Sequence, residues 1–464
     1  MSLRAFHWGQ VMATPARGTA VSSKDDTLLK GIFSYARRVV HKMTRKLISR
    51  LPRSQRFKVF RAFIDCAPTP SQKLILKIAE TKEELEGCFA ILHDAYVDSG
   101  FMKPDPSGMR VTIYHALPTT TMLCAKYNGR VVGTISLIRE NALGIPLQTI
   151  FDLAPIREKE GHMAEVSALA IHRDFRNTRG SILFPLMKFM YEYCTTFFDT
   201  RHLLIAVNPS HIEMYESMLF FKRLTTHIVE SYDFVNGAPA IGATLDLKEA
   251  PEIFRKHYSS KPPRRNLYAY FKETKLPNIQ FPQRRFFTTN DPVLTPELID
   301  YFFNVRTEVF RDLSQHQKAL LYSIYDLPEY RAVLPALSPD KEELPIRHHQ
   351  RFSVKCPARM TFLDPDGLQE NVSMDVIEVS PHDFVARAHA PLPLNTWCDT
   401  TIQLGHADVS HFRALALNKT KTGSSACHYG FRLGKPDLLW MKFVSALDKC
   451  PTHSALESAA PFLQ

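Results

Sequence analysis

The stretch of sequence that decides the fold is Met163-Ala164-Glu165-Val166-Ser167-Ala168-Leu169-Ala170. Its small and apolar residues predict a buried strand, yet the strand carries one carboxylate and one hydroxyl. Because side chains alternate along a strand, Glu165 and Ser167 should point to the same face. Burying a carboxylate is unfavourable unless it is paired or used in chemistry, and burial raises its pKa toward that of a general base. Glu165 is therefore a candidate base; the alternative is a structural carboxylate bonded to backbone or to an arginine.

An arginine-rich turn follows this strand, with the sequence Arg173-Asp174-Phe175-Arg176-Asn177-Thr178-Arg179-Gly180-Ser181. Residues 181–198 are apolar nearly all round, which predicts a buried helix that begins at the turn. A helix N-terminus presents unpaired N–H groups and a partial positive charge, and arginines add charged donors, so the turn suits a phosphate. A solvated arginine loop is the alternative. The candidate phosphate-binding residues are Arg173, Arg176, Arg179, Gly180 and Ser181.

A second predicted strand, residues 202–207, leads into a predicted helix over residues 208–220 that carries Tyr215. Acyl transfer from a thioester to an amine needs a base for the ammonium proton, donors for the oxyanion and an acid for the leaving thiolate. A core tyrosine is the alternative for Tyr215. The candidate catalytic groups are Glu165 as base, the backbone near Ser167 and Ala168 as oxyanion donor, and Tyr215 as acid.

The segments that precede this stretch predict further strands and a helix. Residues 74–78 predict a short strand, and Thr81 with Glu84 forms the capping-box signature of a helix start. Residues 121–126 and 130–138 predict two strands joined by a hairpin turn. The order strand, helix, hairpin, strand, helix, strand, helix indicates a mixed α/β fold.

This succession resembles the GNAT acyltransferase fold. More narrowly, it is similar to the long-chain N-acyl amino acid synthases of the FeeM-like group, which are relatives of acyl-homoserine-lactone synthases. The resemblance spans roughly residues 74–335 and is most specific at residues 165–170 and 208–215. It implies an acyl carrier protein with a long acyl chain as donor and an amino acid as acceptor.

The resemblance also implies where the donor binds. The 4′-phosphopantetheine arm should lie between the two strands near Ile205, and its phosphate should meet the turn at residues 176–181. The residues expected beside the arm are Ala168, Leu169, Ala170 and Asn208. The turn departs from the fold's usual phosphate signature, Arg/Gln-x-x-Gly-x-Gly/Ala, because Arg179-Gly180-Ser181 ends it. This departure favours a carrier protein, which presents one phosphate, over acyl-CoA, whose pyrophosphate needs the tighter glycine loop.

The C-terminal part carries a second resemblance. Beyond residue 345, short alternating segments separated by turns predict a small β-barrel or sandwich. Arg347-His348-His349-Gln350-Arg351 and, further on, Glu378-Val379-Ser380-Pro381-His382-Asp383 are similar to the two motifs with which PilZ domains bind cyclic di-GMP. The second motif is altered, since Glu378 stands where Asp or Asn is expected and Asp383 replaces a glycine. The resemblance implies nucleotide contacts from Arg347, Arg351, Glu378 and Ser380; a degenerate barrel used for protein contacts is the alternative.

The positive charge of the chain is concentrated near its N-terminus. The 464 residues carry a net charge of +11 at pH 7, and residues 27–64 hold 11 Lys and Arg and no Asp or Glu. Apolar residues recur there at helical spacing, which predicts basic amphipathic helices. They would pack on the main body as a hairpin, or dock an acidic carrier protein or anionic lipid headgroups. No nucleic-acid recognition motif accompanies the charge.

The remaining composition bears on the compartment. The eight cysteines are scattered without a Cys-x-x-Cys pair, which is typical of a reducing compartment and does not favour a structural zinc site. No apolar run reaches the roughly 18 residues that a membrane span needs. We therefore expect a cytoplasmic, bacterial-type protein without a bound metal, in contact with the inner membrane at most peripherally.

We expect five segments along the chain. They are a tail with a basic arm (1–68), an acyltransferase domain (72–258), its aromatic and helical extension (259–342), a PilZ-like barrel (343–452) and a tail (453–464). The predicted function is transfer of a fatty acyl group from acyl carrier protein to an amino acid, regulated by cyclic di-GMP. The alternatives are an acetyltransferase that uses acetyl-CoA and a catalytically inactive acyl- or nucleotide-binding adaptor at a membrane surface.

Overall fold

A computed structural model describes residues 51–337, 352–422 and 426–449, apart from residues 63, 142, 160, 177, 179, 199, 283–285, 290, 292–293, 326–327 and 364–365. Most of the basic arm, as well as Arg347 and Arg351, therefore lies outside the described residues. The described residues form a mixed sheet flanked by helices and, after it, a closed antiparallel barrel. The predicted α/β fold class and the predicted barrel are both confirmed.

Eight strands form the sheet in the order β1-β2-β3-β4-β5-β8-β6, with β7 paired to β8. Neighbouring strands are antiparallel except β4 and β5, which are parallel. The β2–β3 hairpin turns at Asn128 and Gly129, whose φ values of +49° and +81° are those that a two-residue turn favours. The strands are β1 Leu74–Ile78, β2 Thr120–Tyr127, β3 Arg130–Arg139, β4 His162–Ile171, β5 Thr200–Val207, β6 Lys222–Arg223, β7 Val229–Tyr232 and β8 Ala238–Asp246.

Helices flank the sheet. The predicted capping box starts α2, because the Thr81 hydroxyl accepts from the N–H of Glu84 while the Glu84 carboxylate accepts from the N–H of Thr81. Turns of π-helix continue α5 over Tyr215–Leu219 and α8 over Asp300–Val305. The helices are α1 Arg53–Ala62, α2 Lys82–Asp98, α3 Ala154–Arg157, α4 Leu183–Phe197, α5 Ile212–Met214, α6 Ala250–Tyr258, α7 Leu267–Lys272, α8 Pro296–Ile299 and α9 Gln315–Ile324.

Two large hydrophobic cores and a smaller one pack against the sheet. One large core is built on α4 and contains Tyr193, the other is built on α2 and α8 and contains Phe302, and the smaller core contains Leu147. Strand β4 contributes Ala164 to the first, small residues nearer its end to the second and Met163 to the third. Functional groups on β4 are therefore held from both sides by close packing.

The C-terminal barrel is closed by six strands in the order β10-β11-β14-β13-β12-β9. Helix α10, Leu438–Lys449, seals it with the fully buried Trp440 and Phe443. The barrel has its own hydrophobic core, distinct from those of the sheet. Its strands are β9 Phe352–Leu363, β10 Gln369–Val379, β11 Asp383–Ala388, β12 Trp397–Gln403, β13 Val409–Thr422 and β14 Ala426–Leu433.

The structure corrects the sequence prediction in three places. The helix expected over residues 208–220 begins only at Ile212, because the Asn208 side chain forms a turn with Ser210. Strand β8 is absent from the prediction, since its glycine, proline and alanines are not typical of a strand, yet it pairs with β5 over residues 241–246. Helix α7 lies in a segment predicted as aromatic loop.

None of the helices in the described part of the chain has the length and apolarity that crossing a bilayer requires.

Candidate active site

The two parallel strands at the centre of the sheet separate along their length. Pairing of β4 with β5 runs from His162 with Thr200 to Glu165 with Leu204, and no further pair joins the described residues of these strands. The remainder of β4 and the end of β5 line a cleft that is partly open to solvent. Glu165 stands where the strands part and lines this cleft.

A β-bulge lies on β4 just beyond Glu165. The β3–β4 pairing shifts between Ser136 with Ser167 and Thr134 with Ala170, so two residues of β4 stand opposite one residue of β3. The first of the two, Ala168, has a φ of +53°, in the left-handed region that a side chain disfavours. A bulge bends its strand and leaves the extra residue unpaired in the ladder. The bulge therefore falls at the point where β4 leaves its parallel neighbour.

The carboxyl group of Glu165 is nearly inaccessible, with 2% of the residue exposed. The backbone N–H of Leu147 donates to its Oε2 at 2.8 Å, and no lysine or arginine of the described residues pairs with it. Burial raises the pKa of Glu165 to about 8, against the opposing effect of the Leu147 hydrogen bond. A carboxyl group with a pKa near the working pH is well suited to act as a general base.

Tyr215 lines the same cleft from the first residue of the π-helical turn. Its ring packs edge-on against Phe221, with 6.1 Å between ring centroids. Burial raises the pKa of Tyr215 to about 12, so its hydroxyl keeps its proton at neutral pH. The cleft is thus lined by both residues that the sequence analysis proposes as base and acid, a buried carboxyl group and a phenol.

The described end of the basic arm is bonded to the segment that carries Tyr215. In α1, Arg56 donates to Glu213 at 2.9 Å and Arg53 donates to Glu216 at 2.9 Å. These arginines are paired within the protein, as expected for a helix packed on the main body. Docking of an acidic partner therefore remains a prediction for residues 27–50, outside the described residues.

The predicted phosphate-binding residues in the turn after β4 do not all line the cleft. Arg176 lines the cleft, but its guanidinium pairs with Asp98 at 3.1 Å and donates to the carbonyl of Ile171 at 2.9 Å. Arg173 and Ser181 are exposed outside the cleft lining, and Arg179 is outside the described residues. The structure therefore brings only part of the predicted set to the cleft.

Gly180 lines the cleft beside Arg176 and has a φ of +80°. A Cβ at this position would lie 2.6 Å from the ring of Phe184, in the first turn of α4. Only glycine fits this conformation and this close approach. The position thus fixes how the turn enters α4.

Comparison with known proteins identifies a family match for the part of the chain that contains the cleft. Residues 87–246 match the family model described as N-acyl amino acid synthase FeeM. Residues 87–246 form an acyltransferase domain of the FeeM type. Strands β4 and β5, the bulge and the turn with Tyr215 all fall within this FeeM-type domain.

Several solved structures are similar to parts of the chain, and no curated protein sequence matches it. The N-acyl amino acid synthase FeeM from uncultured soil microbes has 22% identity and a TM-score of 0.33, covering 40% of this chain and 96% of its own. The CoA-dependent acyl-homoserine lactone synthase BjaI has 19% identity and a TM-score of 0.32, covering 45% and 92%. The PilZ domain of YcgR from Escherichia coli, solved with c-di-GMP, has 14% identity and a TM-score of 0.20, covering 25% and 98%.

The other predicted residues of the FeeM-type domain also line the cleft. They are Ser167, Ala168, Leu169, Ala170, Ile205 and Asn208. The Asn208 side-chain oxygen accepts from the N–H of Ser210 at 3.0 Å and from its hydroxyl at 2.8 Å, so it is engaged in a local turn. These predicted residues make up parts of the two strand walls of the cleft.

One wall of the cleft was missed by the sequence prediction. Tyr96 from α2, Tyr232 at the end of β7 and Phe234 in the loop after it all line the cleft. Arg110 lies against two of these rings and donates to the carbonyl of Phe234 at 2.6 Å. The sequence gives little signal for this wall, because it joins segments more than a hundred residues apart and Tyr96 follows the ordinary apolar pattern of its helix.

In the barrel, the described residues of the altered motif form a turn between β10 and β11. Ser380 is fully buried, and its hydroxyl accepts from the N–H of Asp383 at 3.1 Å. Glu378 lies at a register shift in β10. Elsewhere in the described chain, no three His, Cys, Asp or Glu side chains come together as metal ligands would.

Proposed function

We propose that the FeeM-type domain transfers a long-chain acyl group from the thioester of acyl carrier protein to the amine of an amino acid. The observation that carries this proposal is the buried Glu165, with a pKa of about 8, at the vertex of the cleft between β4 and β5. The cleft offers an acyl thioester a channel between two strands, and the carboxylate offers the incoming amine a base.

The reaction begins with the ammonium group of the acceptor. Glu165 takes one proton from it, and the neutral nitrogen attacks the thioester carbonyl to form a C–N bond. The nitrogen of the tetrahedral intermediate loses its second proton to solvent as the intermediate collapses, the C–S bond breaks, and Tyr215 donates a proton to the leaving thiolate. The proton held by Glu165 leaves to solvent, and a solvent proton that replaces the second amine proton reprotonates Tyr215, which restores both groups.

The bulge on β4 suits the oxyanion of this intermediate. Backbone N–H groups that are not used in a ladder are strong and rigid donors, and such donors stabilise the charge that develops in acyl transfer. The bulge places Ala168 and the next residue out of register with β3 beside Glu165. We propose that this backbone binds the oxyanion. The rest of the β4 wall would bind the amide groups of the pantetheine arm.

The phosphate of the donor should meet the turn before α4. Arg173 and Ser181 are exposed there and lie outside the cleft lining, where a phosphate on a carrier protein would approach. Arg176, being paired with Asp98, positions the turn, and Gly180 keeps it narrow. The acidic surface of the carrier would then face the basic residues 27–50, and the same residues would support peripheral contact with the inner membrane from the cytoplasm.

We also propose that the barrel regulates transfer by binding cyclic di-GMP. Its closed six-stranded form and the turn at Ser380 fit this role, and Arg347 and Arg351 would supply guanidinium groups for phosphate and guanine. Isothermal titration of the full chain with cyclic di-GMP tests it. Binding that Arg351→Ala abolishes is expected, and absence of binding by the wild-type chain would leave the barrel a protein-contact module.

The central experiment incubates the purified full chain with palmitoyl-acyl carrier protein, or with palmitoyl-CoA or acetyl-CoA, and a pool of amino acids. Mass spectrometry should find new N-palmitoyl amino acids, formed faster from the carrier protein than from the CoA thioester. Glu165→Gln should abolish the products, and Glu252→Gln, at an exposed site, should not. Acetylation as the dominant reaction would favour the acetyltransferase alternative, and no product with any donor would favour the adaptor.

A further inference from the structure

Arg110 is a buried cation without a carboxylate partner. It is 6% exposed, and no acidic side chain of the described residues pairs with it. Its guanidinium stacks 4.1 Å from the ring centroid of Tyr96 and 5.3 Å from that of Phe234. One terminal nitrogen donates to the carbonyl of Phe234, but the other, Nη1, is buried without a hydrogen-bond partner. Removing a charge from water without compensation is unfavourable, so an anionic ligand would relieve this arrangement.

Tyr232 is a second unpaired polar group in the same wall. It is 1% exposed, and its hydroxyl has no hydrogen-bond partner among the described residues. The residue lines the cleft together with Glu165, and its ring lies 5.8 Å from that of Phe234, on which Arg110 stacks. A buried phenol ordinarily finds a partner, so this hydroxyl is available to a ligand.

Electrostatic interactions also link the Tyr232 hydroxyl to Glu165 and Arg110. Burial raises the pKa of Tyr232, Glu165 raises it further and Arg110 lowers it, so the phenol lies within reach of both charged groups. His115, beside Arg110, remains neutral, because burial and the guanidinium lower its pKa to about 3. Tyr232 and Glu165 thus line the cleft, and Arg110 lies behind this wall, stacked on Phe234.

We propose that Glu165, Tyr232 and Arg110 form a subsite for the head group of a free α-amino acid acceptor. Such a molecule carries an ammonium and a carboxylate on one carbon, which suits a carboxyl group and an unpaired phenol in the cleft lining and an unpaired guanidinium nitrogen behind the same wall. The ammonium faces Glu165, where it loses its proton, and the carboxylate binds Arg110 and the Tyr232 hydroxyl. This inference rests on the proposed function and adds that recognition depends on the acceptor's free carboxylate.

The test compares three acceptors that share one side chain: the amino acid identified by the product scan, its amide, and the amine that lacks the carboxyl group. Palmitoyl-acyl carrier protein is the donor, and the full-length wild-type chain is the enzyme. We expect kcat/KM for the amino acid to exceed that for the amide and the amine by roughly 10- to 100-fold, the usual range for a lost hydrogen bond to a charged group. Equal use of the three acceptors by the wild-type protein would overturn the subsite.

Variants then assign the selectivity to these residues. Arg110→Gln should lower kcat/KM for the amino acid by roughly 10- to 100-fold while changing that for the amide less than about threefold. Activity on the amide also shows that the variant is folded. Tyr232→Phe should have a smaller effect in the same direction, and Tyr270→Phe, which removes a buried unpaired hydroxyl outside the cleft, should have none.

The outcomes separate the subsite from the reaction itself. If no acceptor gives product, the proposed function fails. If amino acids are acylated but Arg110→Gln keeps the wild-type selectivity, the function stands and the subsite fails. Should Arg110→Gln not fold, Tyr232→Phe decides, since unchanged selectivity in that variant contradicts the assignment.

Discussion

Two glutamates, one at the start of α2 and one on β4, are buried to the same extent, but their pKa values are shifted in opposite directions. Glu84, in the first turn of α2, is 3% exposed, and Glu165, at the cleft vertex, is 2% exposed. Burial alone would raise the pKa of Glu84, but hydrogen bonds from Lys126, from the backbone of Glu80 and from Lys77 outweigh it and hold the pKa at about 2. Burial raises the pKa of Glu165 to about 8, because a single backbone N–H is its only compensation.

We expect this difference in partners to separate a structural carboxylate from a reactive one. Glu84 closes the capping box, and its carboxylate oxygens lie 3.0 Å from Nζ of Lys77 and 2.6 Å from Nζ of Lys126. These two ion pairs compensate its negative charge. No lysine or arginine of the described residues pairs with Glu165, which leaves room for the ammonium group of a substrate. Both carboxylates are buried, so we expect their hydrogen-bond and ion-pair partners to determine whether each is structural or reactive.

Replacement of Glu165 should have the largest effect. Glu165→Gln keeps an oxygen that can accept from the Leu147 N–H but cannot take a proton, so kcat should fall by roughly 10² to 10⁴, the usual contribution of a general base. Circular dichroism and thermal melting should resemble those of the wild-type protein. Wild-type turnover of this variant would remove Glu165 from the mechanism.

The pH profile should follow the same carboxylate. With Glu165 as base, log kcat/KM should rise with pH and level off above an apparent pKa of about 8, so that activity near pH 6 is roughly 100-fold below the plateau. Glu165→Gln retains only the ionisation of the acceptor, which provides the control. A wild-type profile that coincides in shape with that of the variant would show that another group limits the reaction.

The two carboxylates should also give stability opposite pH dependences. The pKa of Glu165 is raised above its ordinary 4.5, so its folded form binds the proton more tightly, and stability should fall as pH rises from about 4.5 to 8. The pKa of Glu84 is lowered, so its contribution is present above 4.5 and is lost as pH falls toward 2. Chemical denaturation across this range should show the first trend disappear in Glu165→Gln and the second in Glu84→Gln.

Replacement of Glu84 should lower stability and spare the chemistry. Glu84→Gln leaves two lysines without their carboxylate and weakens the cap of α2, which should lower the free energy of unfolding by about 1–3 kcal/mol. We place the value below that of a fully buried pair because the lysine side chains are 21% and 24% exposed. Urea denaturation measures it, and kcat should change less than about threefold. A loss of turnover with unchanged stability would mean that the two glutamates do not differ in role.

The sequence predicts the local parts of this comparison and misses the distant ones. The capping box, the β2–β3 hairpin and the carboxylate on β4 are all encoded within a few residues, and each is present as expected. The wall with Arg110 is assembled across 124 residues of chain, where no periodicity applies. The left-handed conformation of Ala168 is equally unpredictable from the sequence, because alanine does not favour a positive φ.

Relief of backbone strain at Ala168 should have the smallest effect on stability among the predicted substitutions. It compares the backbone of α2 with that of β4. Helix α2 contains no non-glycine residue with positive φ, whereas β4 has one directly after the catalytic stretch. Left-handed alanine costs roughly 1–2 kcal/mol, and a glycine at the same place adds entropy to the unfolded chain that offsets part of the relief. Ala168→Gly should therefore raise the free energy of unfolding by less than about 1 kcal/mol.

The matched control for this substitution is Ala170→Gly, two residues along the same strand, where φ is negative. There glycine adds unfolded-state entropy and removes a methyl group that is buried much as that of Ala168 is, so stability should fall by roughly 1–2 kcal/mol. Opposite signs for the two substitutions would show that the bulge stores strain, and kcat of Ala168→Gly would then report whether the strained backbone aids the oxyanion. If both variants lose stability equally, the bulge is relaxed, and the separation of β4 from β5 follows from packing of the two large cores on β4.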